Sequence, residues 1–129
     1  MGRPVMKFVL CDTNVFISLF NGMSDTMAQL KEIGDGNVLI PSISVMELYR
    51  GMNNKTELRT MKSKLKSYNI LHFNEAVSHL ATEFIYEYKL SHNLQLPDAM
   101  IGAMSITYDI PLFTYNKKDF KFLPNIRLH

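Results

Sequence analysis

Short apolar stretches alternate with longer amphipathic stretches along the chain. Runs rich in branched and aromatic residues predict buried strands over residues 5–11, 38–40, 70–71, 112–114 and 126–128. Between these runs, apolar positions recur at spacings of three and four, which predicts helices over residues 15–20, 25–33, 45–49, 56–67, 75–90 and 97–108. Strands that alternate with helices indicate an α/β fold with a central parallel sheet of four to five strands.

Several of the predicted helices begin next to residues suited to their first turn. Ser24, Asn74 and either Ser42 or Ser44 carry side-chain oxygens that can accept a backbone N–H at a helix N-terminus. Pro97 suits the first position of the last helix, because proline lacks the N–H that has no partner there. These residues sharpen the predicted helix boundaries.

Size and composition restrict the class of protein. The chain has 129 residues, the length of one domain, so we expect a single domain over 1–129. Its single cysteine excludes an internal disulfide, and no apolar run approaches the roughly 20 residues of a membrane span. The chain also begins without the apolar segment of a secretory signal. These features lead us to expect a cytoplasmic protein.

The net charge of +2 conceals an uneven distribution of charge. Six of the 14 basic residues lie between residues 50 and 66, where Glu57 is the only acid. Such a stretch is a candidate surface for binding a polyanion. A solvated helix face of ordinary composition would look the same, so charge alone leaves both interpretations open.

Four of the twelve acids stand beside predicted strand ends or within apolar stretches: Asp12, Glu47, Asp98 and Asp119. Ligands of parallel α/β sheets bind outside the carboxyl ends of the strands, where these acids are expected to converge. Converging carboxylates repel one another, and a divalent cation such as Mg²⁺ or Mn²⁺ is the usual counter-charge. Taken singly, each acid also has an ordinary structural explanation, such as helix capping or a solvated loop. The four histidines, at positions 72, 79, 92 and 129, lack the spacing of a zinc site.

Four segments together resemble the PIN-domain ribonucleases and, among them, the VapC-like toxins of bacterial type II toxin–antitoxin systems. They read LCDTNVFI at 10–17, IPSISVMEL at 40–48, LPDAMIGA at 96–103 and LFTYNKKDF at 112–120. Each segment alone is a weak signal, but they occur in the family's order across nearly the whole chain. Cys11 departs from the aliphatic residue that is common there and suits a buried strand end. The resemblance begins near Met6, so residues 1–5 are expected to be an extension.

The resemblance implies a three-layer α/β/α sandwich and a role for each matching residue. Asp12, Glu47, Asp98 and Asp119 correspond to the catalytic acids, with Asp12 and Asp98 as metal ligands. Three supporting polar residues line the site, namely Asn14, Thr114 and Asn116. Within the basic stretch, the candidates for contact with RNA are Arg50, Lys55, Arg59 and Lys62.

The implied activity is endoribonucleolytic cleavage that depends on Mg²⁺ or Mn²⁺. Single-stranded loops are the more readable parts of an RNA, which favours a tRNA or rRNA loop as the target. The resemblance further implies a cognate antitoxin protein as partner and a homodimer. Two alternatives stay open: a PIN nuclease of RNA maturation, and a PIN module that binds RNA or protein without cutting.

Overall fold

Four short strands form the central sheet of the computed structural model, which describes residues 7–129. They are β1 (Val9–Cys11), β2 (Val38–Pro41), β3 (Asn69–Leu71) and β4 (Leu112–Phe113). Every pairing is parallel, and the strand order is β3-β2-β1-β4. β1 therefore lies between β2 and β4, so its carboxyl end faces the ends of both. The beginning of the first predicted strand and the expected extension over residues 1–5 lie outside the described residues.

The fifth predicted strand is reduced to one bridge. Leu128, which belongs to no strand, pairs in parallel with Leu112 of β4. The backbone N–H of Leu112 donates to the Arg127 carbonyl at 2.8 Å, and that of His129 donates to the Leu112 carbonyl at 2.7 Å. The C-terminal segment thus protects the outer edge of β4 without becoming a regular strand.

Six α-helices connect the strands. Their bounds are α1 (Thr13–Phe20), α2 (Ser24–Ile33), α3 (Ser42–Arg50), α4 (Lys55–Leu65), α5 (Glu75–His92) and α6 (Leu96–Thr107). Two short 3-10 helices cover Asp35–Asn37 and Lys117–Asp119. All six predicted helices are present. None of the described helices is long and apolar enough to cross a membrane.

The helix caps were predicted with mixed success. Asn74 caps α5 as expected, since its side chain accepts the Val77 N–H at 2.9 Å. The predicted serine caps were wrong: α2 begins at Ser24 itself, and α3 begins at Ser42 with Pro41 in the cap position. Neither of those two helices has a side-chain hydrogen bond at its cap. Ser44 instead lies inside α3, where its hydroxyl contacts another helix.

The sheet separates two apolar cores. Residues of β1 alternate between them, because successive side chains of a strand point to opposite faces. Leu10 packs mainly with α5 and α6, whereas Val9 and Cys11 pack with α1 to α4. This arrangement confirms the expected three-layer α/β/α sandwich and leaves the carboxyl edge of the sheet between the layers for polar residues.

Candidate active site

Asp12 is placed by the junction of β1 and α1. Its backbone N–H donates to the Phe113 carbonyl at 2.9 Å, which joins the ends of β1 and β4. Its side chain caps α1, because Oδ1 accepts the Thr13 N–H at 2.7 Å. Only 6% of the Asp12 surface is exposed. A carboxylate is thus held nearly buried at the carboxyl edge of the central strand.

The segment after β4 supports the other oxygen of Asp12. The Thr114 hydroxyl donates to Asp12 Oδ2 at 2.8 Å and accepts the Asn116 N–H at 3.0 Å. Asn14 Oδ1 accepts the Tyr115 N–H at 3.3 Å. Of the three predicted supporting residues, Thr114 thus contacts Asp12 directly. Asn14 and Asn116 instead hydrogen-bond to residues of the segment after β4 that contains Thr114. Thr114 is 1% exposed, so it acts as an internal support instead of lining an open surface.

Glu47 is tied to Asp12 through the intervening Thr13. The Thr13 hydroxyl lies 2.7 Å from Glu47 Oε1 and 2.7 Å from Ser44 Oγ. An ionised carboxylate can only accept, so the Thr13 hydroxyl donates to Glu47 and the Ser44 hydroxyl donates to Thr13. A hydroxyl chain of this kind fixes the side chain of Glu47 relative to the first residue of α1.

Asp98 and Asp119 border a common recess. Asp98 lies in the first turn of α6, where the helix dipole favours a negative charge, and Asp119 ends the 3-10 helix after β4. The recess measures about 240 Å³. Its lining residues are His92, Asn93, Leu94, Gln95, Asp98, Lys118, Asp119 and Phe122. A wider groove along α5 contains none of the four predicted acids, so size alone does not mark the site.

The four acids affect one another electrostatically. Burial, followed by the charges of Asp12, Asp119 and Glu47, raises the pKa of Asp98 to about 7. Burial also raises the pKa of Asp12, although hydrogen bonds from Thr114 and Thr13 oppose that shift. The structure therefore brings all four sequence-predicted acids within electrostatic reach of one another, and their mutual repulsion is only partly relieved by hydrogen bonds.

The donor atoms of this region fit a hydrated divalent cation. Among residues 7–129, no three Asp, Glu, His or Cys side chains converge closely enough to hold one ion directly. Mg²⁺ commonly uses only one or two carboxylates and keeps several waters, so such convergence is not required. Each oxygen of Asp12 accepts one hydrogen bond and retains a further lone pair. The unbalanced negative charge and the oxygen donors thus suit Mg²⁺ or Mn²⁺.

The predicted RNA-binding residues lie on exposed surface. Arg50 ends α3, while Lys55, Arg59 and Lys62 lie along α4. Within the described part of the chain, the single ion pair joins Arg127 to Asp109, so none of these four cations is paired. Their charges are available to a polyanion.

Some residues around the acids were missed by sequence reasoning. Thr13 carried a weak signal, since a hydroxyl directly after the first acid can reach a second acid. Lys118 also borders the recess of Asp98 and Asp119 but lies outside the basic stretch. His92 and Phe122 carried no signal, because 30 positions separate them and only folding makes them neighbours.

A parallel α/β/α sandwich with carboxylates at the carboxyl ends of its strands defines a class of proteins suited to divalent-cation chemistry. The comparison with known families is more specific: the model of the PIN domain matches residues 9–124. The chain belongs to the PIN-domain family, which confirms the resemblance inferred from the four motifs.

Individual relatives agree with this assignment. Ribonuclease VapC from Rickettsia bellii is 27% identical over 128 residues, which cover 93% of each chain. A toxin–antitoxin complex from Klebsiella pneumoniae contains a chain that is 30% identical, with a TM-score of 0.75 and coverage of 92% of this chain and 94% of that one. VapBC2 from Rickettsia felis, solved with a promoter DNA fragment, shares the fold at 22% identity, with a TM-score of 0.81 and coverage of 95% and 97%.

Proposed function

We propose that this chain is a metal-dependent endoribonuclease and the toxin component of a type II toxin–antitoxin module. The observation that carries this proposal is the nearly buried Asp12 together with Asp98, whose pKa is raised first by burial and then by the charges of neighbouring carboxylates. These acids stand at the carboxyl edge of a PIN-domain sheet. The relatives named above include a ribonuclease and toxin–antitoxin complexes, which supports the same activity and the same biological setting.

Asp12 and Asp98 would hold the cation, with Glu47 and Asp119 completing the site directly or through water. A bound Mg²⁺ or Mn²⁺ supplies Lewis acidity, which makes water more acidic and offsets negative charge at a phosphate. The protein contributes preorganisation. Thr114 fixes one oxygen of Asp12, and Thr13 fixes Glu47, so neither carboxylate must reorient when substrate arrives.

The exposed cations of α3 and α4 would bind the RNA backbone. Arg50, Lys55, Arg59 and Lys62 supply charge without reading sequence, since contacts to phosphate position a nucleic acid but do not identify its bases. Four carboxylates on their own would repel RNA. Cations on the protein surface and a divalent ion in the site together offset that repulsion.

The protein partner we propose is an antitoxin, because the solved structures that resemble this chain include toxin–antitoxin complexes. A homodimer is a further expectation from the family resemblance. Size-exclusion chromatography with light scattering, on the chain alone and together with the product of an adjacent gene, measures both associations.

The central test is cleavage of total RNA by the purified chain in MgCl₂ or MnCl₂ and in EDTA. We expect cleavage only with the metal. Asp12→Asn and Asp98→Asn should each reduce the rate by at least about 100-fold, since changes even to residues that only support metal ligands cost roughly 10- to 100-fold. Asp25→Asn, at an exposed position of α2, is the matched control and should cut normally. Wild-type rates in both site variants would overturn the proposal.

Metal binding has a readout that is independent of cleavage. A ligand that binds only the folded state stabilises it by about 2.7 kcal/mol at 100 times its dissociation constant. MgCl₂ or MnCl₂ should therefore raise the Tm of the wild-type chain and of Asp25→Asn. The Asp12→Asn/Asp98→Asn double variant should show no such increase.

The toxin assignment is tested in cells. Induction of the wild-type chain should arrest growth, Asp98→Asn should not, and coexpression of the adjacent gene's product should restore growth. An active nuclease whose induction leaves growth unchanged would instead support a role in RNA maturation.

A further inference from the structure

An aromatic pair, formed by the exposed His92 and the half-buried Phe122, lies beside two of the acids. The His92 imidazole, at the end of α5, stacks on the Phe122 ring with 4.0 Å between centroids and 16° between planes. Tyr88 supports the pair from the side, with centroids 5.1 Å from Phe122 and 5.7 Å from His92. His92 Nδ1 lies 2.8 Å from the Ser91 hydroxyl. The imidazole is thus held in place by neighbours while it remains exposed to solvent.

The aromatic pair and the acids line the same recess. His92 and Phe122 form one part of its wall, and Asp98 and Asp119 form another. A ligand seated against the aromatic pair would therefore adjoin the carboxylates to which cleavage is assigned. Such a position is suited to a group next to the bond that is cut.

Lining and size restrict what the recess accepts. Its lysine and carboxylate lining residues are Lys118, Asp98 and Asp119. A divalent cation held by Asp98 would offset the carboxylate charge, so the aromatic wall of His92 and Phe122 is the part of the recess that favours an uncharged planar ring. The volume of about 240 Å³ lies below the roughly 300–1,000 Å³ of drug-sized sites, so it suits one ring system.

Amide groups at the rim complement the edge of a base. Gln95 is exposed and donates from Nε2 to the Asn93 carbonyl at 2.9 Å, which orients the side chain and leaves Oε1 as an acceptor. Asn93 is in the left-handed conformation at φ 51°, and its Oδ1 accepts from Lys89 Nζ at 2.6 Å. Amides have both donors and acceptors, as base edges do.

We propose that this recess binds one unpaired nucleobase next to the phosphodiester that is cut, with His92 as the stacking surface and Gln95 as the reader of the base edge. The proposal rests on the proposed ribonuclease function and adds a specificity-determining subsite to it. Unpaired bases are commonly bound by aromatic stacking together with hydrogen bonds to their edges. This chemistry would restrict cleavage to single-stranded segments.

The test begins with a randomised single-stranded RNA pool, which is cut in MgCl₂ and sequenced at the new ends. The most frequently cut sequence is then synthesised as a 12-nucleotide RNA, with a base-free sugar placed at each position in turn. For the wild-type chain, we expect loss of the base at one position beside the cut to lower kcat/KM by roughly 5- to 150-fold, the range for one base–aromatic stack.

Variants link that position to the recess. His92→Ala should lower kcat/KM on the intact RNA by a similar factor and lose its sensitivity to the missing base. His92→Phe, which preserves a stacking surface, should keep that sensitivity. Gln95→Ala should instead reduce the preference among the four bases at this position of the pool. His79→Ala, an exposed histidine on the same helix, is the matched control and should behave like the wild type.

A second measurement does not depend on cleavage. The intact and base-free RNAs are labelled with fluorescein and titrated with the Asp12→Asn chain or with the Asp12→Asn/His92→Ala chain. Binding is followed by fluorescence anisotropy. We expect loss of the sensitive base to weaken binding only while His92 is present. Equal Tm values for His92→Ala and His79→Ala would show that the fold is intact.

The possible failures are distinguishable. If no position is sensitive to loss of its base, or if His92→Ala retains that sensitivity, the base subsite is wrong while the nuclease assignment stands. If His92→Ala leaves RNA cleavage unchanged and weakens antitoxin binding, the recess belongs to a protein partner and the proposal fails. If the wild-type chain cuts nothing in the pool and the Asp12→Asn chain does not bind the fluorescein-labelled pool, the proposed function fails and the subsite fails with it.

Discussion

Two hydroxyl groups determine how the acids are held. Thr114 donates to Asp12 across 102 positions of sequence, and Thr13 donates to Glu47 across 34. Asp12 is nearly buried, so the bond from Thr114 satisfies a carboxylate oxygen that loses contact with water on folding. A buried acceptor without a partner costs roughly 1–3 kcal/mol, so Thr114 stabilises the fold as well as the site.

Replacement of Thr114 by valine tests this dependence. Thr114→Val preserves the shape but removes the bond to Asp12 Oδ2, and we expect the free energy of unfolding at pH 7 to fall by roughly 1–3 kcal/mol. Thr114→Ser should retain most of the stability. Thr82→Val, on the exposed face of α5, is the control and should change stability by less than about 0.5 kcal/mol. Urea unfolding in EDTA measures all three, and equal losses for Thr114→Val and Thr82→Val would contradict the assignment.

The raised pKa of Asp98 makes metal-free stability depend on pH. Folded Asp98 keeps its proton up to about pH 7, whereas the unfolded chain releases it near pH 4. The folded state therefore binds more protons between these values, and stability falls as the pH rises through that window. Asp98→Asn removes this contribution. Its Tm in EDTA should exceed that of the wild type at pH 8, and the difference should shrink towards pH 4.5.

The expected gain at pH 8 is roughly 2–8 °C, the change that 1 kcal/mol produces in domains of this size range. We take a free-energy contribution of only about 1 kcal/mol because Asp98 remains partly solvated. Glu83→Gln, at an exposed position of α5, is the control. Its Tm in EDTA should differ from that of the wild type by the same amount at pH 8 and at pH 4.5. A pH-independent effect of Asp98→Asn would contradict the electrostatic explanation.

At the scale of elements, α6, which carries Asp98, packs closely against the C-terminal segment. Small residues on α6 permit such close approach, namely Ala99, Gly102, Ala103 and Ser105. In the structure, a Cβ on Gly102 would lie 2.4 Å from Leu123 Cδ1, and Leu123 is only 2% exposed. The C-terminal segment therefore lies directly against α6, and the glycine is required for this contact.

Gly102→Ala should accordingly destabilise the chain by roughly 1–3 kcal/mol, the usual cost of overpacking, although alanine favours helices. Because Leu123 provides the clash, adding Leu123→Val should recover part of that loss beyond additivity. Gly36→Ala, with nothing within 4 Å of its new Cβ, is the control. Denaturant unfolding measures the four chains, and strictly additive effects would show that Leu123 is not the obstacle.

At the scale of the whole molecule, the site acids and the cations of α3 and α4 form two groups of opposite charge. Six cations lie between residues 50 and 66, whereas the four site acids come together only on folding. The net charge of +2 is therefore the sum of opposite charges that lie in different parts of the chain. Under the proposed function, the basic residues would bind RNA and the acidic site would cleave it.

Charge reversal on α4 separates these roles. The Arg59→Glu/Lys62→Glu variant should weaken RNA binding about equally for all sequences. It should also reduce the slope of log affinity against log salt by roughly 0.7 for each lost phosphate contact on a single strand. Lys7→Glu/Lys31→Glu, at exposed positions before β1 and on α2, is the matched charge control. Anisotropy titrations at several salt concentrations measure the slope, and equal slopes in both double variants would exclude α4 as the RNA-binding surface.

The sequence by itself determined the alternation of strands and helices, because the period of apolar residues reports directly on local structure. It also singled out the four acids as one candidate site, because acids beside predicted strand ends or within apolar stretches are expected to meet at one edge of a parallel sheet. Cap positions such as Ser24 and Ser42 were less certain, because a serine can serve a cap, a helix interior or a tertiary contact with equal ease.

Only the tertiary structure decided which distant side chains meet. The order β3-β2-β1-β4 places Thr114 against Asp12, and the docking of the C-terminal segment places Phe122 against His92. Burial then raises the pKa of Asp98, an effect that depends on the surrounding atoms and not on its sequence neighbours. The order of apolar and polar residues along a chain encodes local secondary structure. Contacts between distant side chains, and the burial of a carboxylate away from water, are properties of the folded arrangement in space.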